Sequence, residues 1–350
     1  LHSFPTRRSS DLILLVEFKR GNMINLIIKS GLGNQLFQYA YARFLQSLYQ
    51  KSTHENEIIA INPYYIQHTI IENNDPRQMS LHHFKLGNNV RFMHPKEQKD
   101  AMRAFKISTI FSTGIYGMYR WKVKGEKLDG KDWFEKRARA GVYYTCSPYT
   151  TYPSPLSKSL VKHIFGYFQS EQNFHDIADE IIKELEVKDV PSEQNSAMMA
   201  QMSVCNSVCL HIRRGDYLND AWKNLQVCDF DYYNRGVNEI LNRVDDPVFY
   251  VFSNTHDDLE WIKKNYKFED LTGRRDIKLV YVDLNNPDYE ELRLMYTCKH
   301  FIISNSTFSW WGAFLSKNEK KVVCVPDRWN LDSNEDGNIY LKEWIKISKS

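Results

Sequence analysis

Short apolar runs rich in β-branched residues alternate along this chain with stretches of helical hydrophobic period. The run "INLII" (24–28) predicts a first strand, and the glycines Gly31 and Gly33 follow it. The next apolar positions recur every three or four residues: Leu36, Phe37, Ala40, Tyr41, Phe44, Leu45 and Leu48. This spacing predicts a strand, a tight turn and then an amphipathic helix.

A second series of strands and helices follows in the C-terminal half. Its predicted strands lie near 206–212, 248–253, 278–283, 300–303 and 321–325, with helices between most of them. Such alternation predicts an α/β fold with largely parallel sheets. Between the two series, "VPSEQNS" (190–196) is polar and carries a proline, which predicts an interdomain linker. We therefore expect two Rossmann-like domains, residues 23–195 and 196–350, facing each other across a cleft.

The first 22 residues are excluded from this prediction. Their apolar run "LILLV" has five residues and is followed by Glu17, too short for a signal peptide or a membrane span. "FPTRRSSDL" resembles a translated cloning adapter, and Met23 is a plausible true start. We expect residues 1–22 to be a non-native or disordered leader. Because no other apolar run reaches membrane length, any membrane contact is expected to be peripheral.

Charge and cysteine usage limit the classes of partner. Lys+Arg 46 against Asp+Glu 43 gives a net charge of +3, too balanced for a nucleic-acid-binding surface. Residues 91–139 are locally basic, with 13 Lys or Arg and 6 Asp or Glu. A solvated surface is the favoured interpretation, and contact with anionic lipid headgroups or a phosphate-bearing acceptor is the alternative. The six cysteines include no CxxC pair, which predicts reduced thiols of a cytoplasmic protein without structural zinc.

The segment "HIRRGDY" (211–217) places cations where a buried strand ends. Ligands of open α/β sheets lie beyond the carboxyl ends of strands, so His211, Arg213 and Arg214 are candidates for an anion site. An arginine fork fits phosphate oxygens, while its neighbour can pair with Asp216 or another carboxylate. Successive residues of an extended segment point oppositely, so we expect two different roles. A structural ion pair at a strand end is the alternative.

The segment "IISNSTFSWWGAFL" (302–315) predicts a strand end, a polar turn and a helix with Phe308, Trp311, Gly312 and Leu315 on its apolar face. Four polar residues crowd the helix start, where free N–H groups and the helix dipole attract phosphate. These residues are Ser304, Asn305, Ser306 and Thr307. Ordinary capping needs one such residue, so the cluster favours an anion-binding helix start, with Trp310 and Trp311 in the core.

Two further segments have the form of ligand-binding motifs. "GLGNQLFQYA" (31–40) permits close backbone approach to a ligand but matches neither GxGxxG nor a Walker A loop, and a plain turn capped by Asn34 is the alternative. "DFD" (Asp229 to Asp231) has the DxD form of metal-dependent sugar transferases. It stands directly before a helical pattern, so we interpret Asp229 as an N-cap and predict no metal site.

Several long segments, in this order, resemble glycosyltransferase family 11, the α-1,2-fucosyltransferases. They run from Met23 to about Trp329: "GLGNQLFQYAYA", "GYFQSEQNF", "HIRRGDY", "DFDYY", "CKHFIISNSTFSWWGAF" and "VPDRW". The resemblance implies a GT-B fold and inverting, metal-independent transfer of L-fucose from GDP-β-L-fucose to O2 of a terminal galactose. GDP-fucose is then a co-substrate, and no cofactor is expected. In bacteria such enzymes decorate precursors of surface polysaccharide.

The resemblance also implies roles for single residues. Arg213 would hold the GDP β-phosphate together with Ser306 and Thr307, and His211 would lie near the guanine or ribose. Glu291, where the family often has Asp, would accept from the guanine edge. Gly31, Gly33 and Asn34 would line the donor site from the N-terminal domain. Asp216 is the candidate general base, although orienting Arg214 is its favoured role. The chain departs from the family in "FSNTHDDLEW" (252–261) and in Leu36, and we interpret these differences as ones of loop length or packing.

Two other functions stay open. One keeps GDP-fucose but changes the linkage, for example to α-1,6 on glucosamine. The other is a non-catalytic carbohydrate-binding protein, which the aromatic content of 14% would suit. Two adjacent arginines argue against it, since a neutral glycan needs no cations. The expected acceptor is a galactose-terminated glycan or a lipid-linked oligosaccharide, handled in the cytoplasm or at the inner face of the membrane.

Overall fold

The first apolar run and the helical pattern after it form the start of a parallel α/β unit. The computed structural model describes residues 22–68, 77–125, 128–146, 148, 151–215, 220–268, 277–332 and 339–348. Its contacts divide the chain into a first unit, Leu1–Met79 with Leu86–Ile181, and a second unit, Ser80–Lys85 with Ile182–Ser350. Of residues 1–22, expected to be a leader, residues 1–21 lie outside the described residues.

The first unit contains one sheet of parallel strands. Its elements in chain order are β1 (Met23–Ile27), α1 (Leu32–Thr53), β2 (Ile58–Asn62), α2 (Tyr64–His68), β3 (Val90–Phe92), α3 (Pro95–Lys124), α4 (Lys131–Arg139), β4 (Val142–Tyr144), β5 (Val161–Phe165) and α5 (Ala178–Glu184), the last of which runs across the division. The strand order is β3-β2-β1-β5-β4, with every pair parallel. All five residues of the central β1 are buried, as expected for a strand covered on both faces.

The second unit contains a six-stranded sheet. Its elements are α6 (Glu193–Val204), β6 (Asn206–His211), α7 (Phe230–Arg243), β7 (Pro247–Phe252), α8 (His256–Asn265), β8 (Lys278–Tyr281), α9 (Asp288–Thr297), β9 (His300–Ile302), α10 (Thr307–Leu315), β10 (Val323–Pro326) and β11 (Ile345–Ile347). The order is β11-β10-β9-β6-β7-β8, again with parallel pairs. The prediction of an α/β chain with two largely parallel sheets is confirmed. That the two units face each other across a cleft stays a prediction.

The predicted linker 190–196 differs from the structure. Ser192 caps α6 by accepting a hydrogen bond from the backbone N–H of Asn195 at 3.1 Å, so most of this segment is helix start. The division between units falls after Ile181 instead. The reason is visible in α6, where only Asn195 and Met202 are buried. A helix with so narrow an apolar stripe gives no period to recognise.

All six cysteines are free thiols. In the part of the chain that the structure describes, no helix combines the length and the apolar character needed to cross a bilayer.

A buried ion pair lies at the sheet of the first unit. Lys162 in β5 contacts Glu57, just before β2, and their side chains are 1% and 0% exposed. The ammonium group also lies 4.4 Å from the centre of the Tyr49 ring. Burial raises the pKa of Glu57, and Lys162 opposes that shift. Each charge therefore depends on the other, since an unpaired buried ion is costly.

We expect Lys162→Met to lower the free energy of unfolding by about 3–5 kcal/mol, because Glu57 would be left buried without its cation. The double variant Glu57→Leu with Lys162→Met should recover most of that loss. Denaturant unfolding of the two single variants and the double variant measures both effects. Strictly additive losses would show that the two charges are not coupled.

Candidate active site

The pairing of β6 with β9 brings two sequence motifs to one edge of the second sheet. These strands are parallel neighbours, with Leu210 opposite Ile302. β6 ends at His211 and β9 ends at Ile302, so the segments that follow leave the sheet side by side. Carboxyl ends of parallel strands are where α/β sheets bind ligands. The sheet register thus places Arg213 beside Ser306.

Arg213 contacts the start of α10 directly. Its Nη1 donates a hydrogen bond to Ser306 Oγ at 3.0 Å. Ser306 occupies the N-cap position of α10 but makes no side-chain capping bond there. In the same unit Ser192, Asp229 and Thr255 do cap their helices through the side chain. The Ser306 side chain therefore leaves the amide N–H groups at the start of α10 uncapped, and the Arg213 guanidinium lies beside them. This arrangement is suited to binding a phosphate.

His211 is a neutral ring beneath these groups. It is 4% exposed, and its Nδ1 lies 2.9 Å from Ser304 Oγ. Burial and then the nearby Arg213 lower the pKa of His211 to about 3. The imidazole therefore carries no charge near neutral pH and adds none to the cation beside it. Its position supports Ser304 at the turn before α10.

Arg214 points to a different part of the unit. Its Nε lies 3.4 Å from Asp258 Oδ1, and its guanidinium carbon lies 3.3 Å from the centre of the Trp261 ring. Its backbone N–H donates to Asn254 Oδ1 at 3.2 Å. The two adjacent arginines thus have separate partners, as the alternation of an extended segment predicts. Asp216, expected to pair with Arg214 or to act as a base, lies outside the described residues.

Sequence reasoning missed these partners of Arg214. Asn254, Asp258 and Trp261 belong to "FSNTHDDLEW", a segment whose difference from the family is interpreted from the sequence as loop length or packing. A signal was present, because β7 pairs with β6 and places Phe252 opposite His211. The segment after β7 must therefore run beside the one after β6. Its acid and its tryptophan were natural partners for an arginine.

Asn305 holds loops together. Its Nδ2 donates to the carbonyl oxygens of Leu225 at 2.9 Å and Trp329 at 2.7 Å, and the residue is 1% exposed. Both of its amide hydrogens are engaged within the protein, so its side chain is structural here. Thr307, the first residue of α10, is half-buried.

The tryptophans of α10 belong to the core, as predicted. Trp310 and Trp311 are fully buried, and Trp310 Nε1 donates to the carbonyl of Ile339 at 2.7 Å. The predicted one-sided apolar face is wrong, because the helix is buried on every side from Ser309 to Leu315 and Phe308 is only half-buried. A helix that is apolar all round is typical of a buried position.

Glu291 is a half-buried carboxyl in α9. Burial and then the neighbouring Asp288 raise the pKa of Glu291 to about 8. Asp288 itself accepts a hydrogen bond from Ser80 Oγ at 2.8 Å. Among the described residues, no ion pair or hydrogen bond engages the Glu291 side chain. A carboxyl in this condition is protonated at neutral pH and can be ionised by a ligand that donates to it.

Gly31, Gly33 and Asn34 lie in the first unit. Gly31 is the N-cap of α1, with φ −69°, and the left-handed residue of the turn is Ser30, with φ 67°. A Cβ at Gly31 would lie 3.0 Å from Arg77 Nη1, so the close neighbour of this glycine is a guanidinium that no motif predicted. Gly33 is buried within α1. Asn34 does not cap the helix, and that alternative is wrong, because its Oδ1 accepts from Gln169 Nε2 at 2.5 Å.

The interpretation of "DFD" as a helix start is confirmed. Asp229 is the N-cap of α7, and its side chain accepts from the backbone N–H of Tyr232 at 2.9 Å. Asp231 lies in the first turn, where negative charge suits the helix dipole. Within the described ranges, no group of three or more His, Cys, Asp or Glu could hold a metal ion.

The chain matches known proteins along most of its length. The model of "Glycosyl transferase family 11" matches residues 23–348. The chain is 26% identical over 339 residues to the "O-antigen biosynthesis glycosyltransferase WbnK" of Escherichia coli, covering 91% of this chain and 99% of that protein. It is 36% identical over 149 residues to an "Alpha-1,2-colitosyltransferase" of Escherichia coli, covering 41% of this chain and 48% of that protein.

Among solved structures, the chain is similar to the "fucosyltransferase NodZ from Bradyrhizobium". The TM-score is 0.44 at 9% identity, covering 85% of this chain and 94% of that one.

We expect Asn305→Asp to lower the free energy of unfolding by about 2 kcal/mol or more. The substitution removes the two N–H donors and leaves the carbonyls of Leu225 and Trp329 facing a carboxylate. Asn56→Asp, at an exposed position, is the matched control. Denaturant unfolding measures both, and equal effects would contradict a structural role for the Asn305 amide.

Proposed function

Because the chain belongs to glycosyltransferase family 11, we propose that it transfers L-fucose from GDP-β-L-fucose to O2 of a terminal galactose with inversion. The single observation that carries this proposal beyond the family is the contact between Arg213 and Ser306 at the uncapped start of α10. The relative WbnK is named for O-antigen biosynthesis, which supports a surface glycan precursor as acceptor. Such an acceptor would be met in the cytoplasm, in free or lipid-linked form.

The proposed mechanism follows from where charge develops. When the galactose O2 attacks C1 of fucose, the bond from C1 to the β-phosphate oxygen breaks and negative charge grows on the departing GDP. Arg213 and the N–H groups at the start of α10 would bind that oxygen more tightly as its charge increases. Interactions that strengthen in this way lower the barrier rather than only binding substrate. Asp216 stays the candidate base for the O2 proton.

A second candidate changes the sugar and keeps the linkage. The 36% identity to an α-1,2-colitosyltransferase favours transfer of colitose from an activated donor. Both candidates need the same neutralisation of a leaving diphosphate, so the Arg213 site does not separate them. The two candidates differ in which sugar donor is consumed.

The proposal predicts GDP release from GDP-fucose, in the presence of EDTA, when a β-galactoside is added. Lactose, N-acetyllactosamine and β1,3-linked galactosides are the acceptors to screen, with the product linkage determined by NMR. Arg213→Ala should lower kcat/KM by about 100-fold or more, as for loss of one preorganised charge-stabilising donor. Arg243→Ala, which removes an exposed arginine paired with Glu239, is the control.

Three results would count against the proposal: strict dependence on Mn²⁺, an α-1,6 linked product, or glycan binding that neither GDP nor Arg213→Ala affects. Consumption of a colitose donor in preference to GDP-fucose would favour the second candidate.

The proposed guanine contact of Glu291 predicts proton release when GDP binds. The carboxyl has a pKa of about 8, so it is mostly protonated at pH 7. The guanine N1–H and N2–H groups donate to the ionised form and would lower that pKa, so GDP affinity should rise as the pH approaches 8. Calorimetry in buffers of different ionisation enthalpy measures the released proton. Glu291→Gln should remove it, and equal proton release by both proteins would contradict the contact.

A further inference from the structure

The outer side of α3 carries large apolar side chains in water. Ile107 is 55% exposed, Ile110 is 53% exposed and Phe111 is 80% exposed. The opposite side of the helix packs on the first unit through Gln98, Ala101, Met102 and Phe105, all of them buried. Single exposed apolar residues are common, but a contiguous group on one helix face indicates an interaction surface.

Cations share that face with the apolar residues. Lys99, Arg103 and Lys106 are exposed and recur with helical spacing beside Ile107 and Ile110. The two acids of this helix are only half-buried and already paired, Glu97 with Arg91 and Asp100 with Arg103. Across the described residues of 95–125, no exposed side chain is a carboxylate. The face is therefore apolar, and its unpaired exposed charges are those of Lys99 and Lys106, since Arg103 is paired with Asp100.

Exposed aromatic and basic residues also follow a break in the helix. Gly114, with φ 70°, interrupts α3, and Lys136 Nζ donates to the carbonyl of Thr113 there at 3.3 Å. After the break, Tyr119 and Trp121 are 47% and 54% exposed. Lys122 and Lys124 are exposed beside them. Tyrosine and tryptophan prefer the boundary between water and lipid, where an apolar ring and a polar group are both accommodated.

The positive charge of this surface favours one kind of partner. A symmetric contact with a second copy of the chain would place the same cations against each other, which is unfavourable. A bilayer that contains anionic lipids offers negative headgroups to the lysines and an apolar layer to Ile107, Ile110 and Phe111. We propose that the exposed apolar and basic side chains of α3, within residues 99–124, bind the surface of an anionic membrane.

This inference does not depend on the proposed transfer reaction, because α3 contains none of the residues assigned to the donor site. Binding at the surface would bring the enzyme close to lipid-linked acceptors while leaving its chemistry unchanged. The surface and the reaction can therefore be tested separately.

Vesicle flotation tests the proposal directly. The full chain should float with vesicles of equal parts phosphatidylcholine and phosphatidylglycerol, and it should not float with phosphatidylcholine alone. Adding salt should weaken binding, because screening reduces the attraction of lysines to headgroups. Lys99→Gln with Lys106→Gln should lower the partition coefficient by about 30-fold. Ile107→Ser with Phe111→Ser should lower it by about tenfold or more.

Matched controls lie elsewhere on the surface. Val190→Ser with Val204→Ser removes apolar side chains that are 91% and 86% exposed, and Lys264→Gln with Lys342→Gln removes two exposed lysines. Both double variants should bind vesicles like the parent protein. All variants should keep the thermal unfolding temperature and the turnover of a water-soluble acceptor. Equal binding to neutral vesicles, equal losses in the controls, or a stable dimer dispersed by Phe111→Ser would overturn the proposal.

Discussion

The site of the second unit depends on one constraint, the parallel pairing of β6 with both β7 and β9. Because neighbouring parallel strands end at the same edge, three segments distant in sequence leave the sheet together: those after His211, after Phe252 and after Ile302. Antiparallel pairing would have sent the segment after β9 to the other edge and separated Arg213 from Ser306. The contact between them is thus a consequence of strand direction more than of any single side chain.

Near that contact, one basic side chain is neutral and a second is paired elsewhere, so the guanidinium of Arg213 faces the start of α10. His211 is kept neutral, and Arg214 is held by Asp258 and Trp261. Arg213 donates to the hydroxyl of Ser306, a neutral partner. A fixed cation held in this way needs little reorganisation when negative charge arrives, which is the condition for effective electrostatic stabilisation.

The sequence was most informative where a period or a strand end decides the outcome. β1 of the first sheet and β6 to β10 of the second were predicted to within a few residues, because buried parallel strands are continuous β-branched runs. No strand was predicted at β2 to β5 or at β11. Ser306 and Arg213 were found for the same reason, since both follow such runs. α6 was missed because it buries almost nothing. The roles of Asn34, Asn305 and Arg77 could not be predicted, because each is set by a partner distant in sequence that no local pattern names.

The missing cap of α10 has a consequence for the protein without its co-substrate. A serine at an N-cap normally satisfies one amide of the first turn and steadies the helix. Here the Ser306 hydroxyl accepts a hydrogen bond from Arg213 and makes no capping bond, so the protein without ligand lacks that stabilising contact. Under the proposed function, a phosphate of the bound nucleotide accepts hydrogen bonds from the amide N–H groups at the start of α10. Binding of the sugar donor then stabilises this helix. The stability of the folded protein in the cell would then increase with the concentration of its sugar donor.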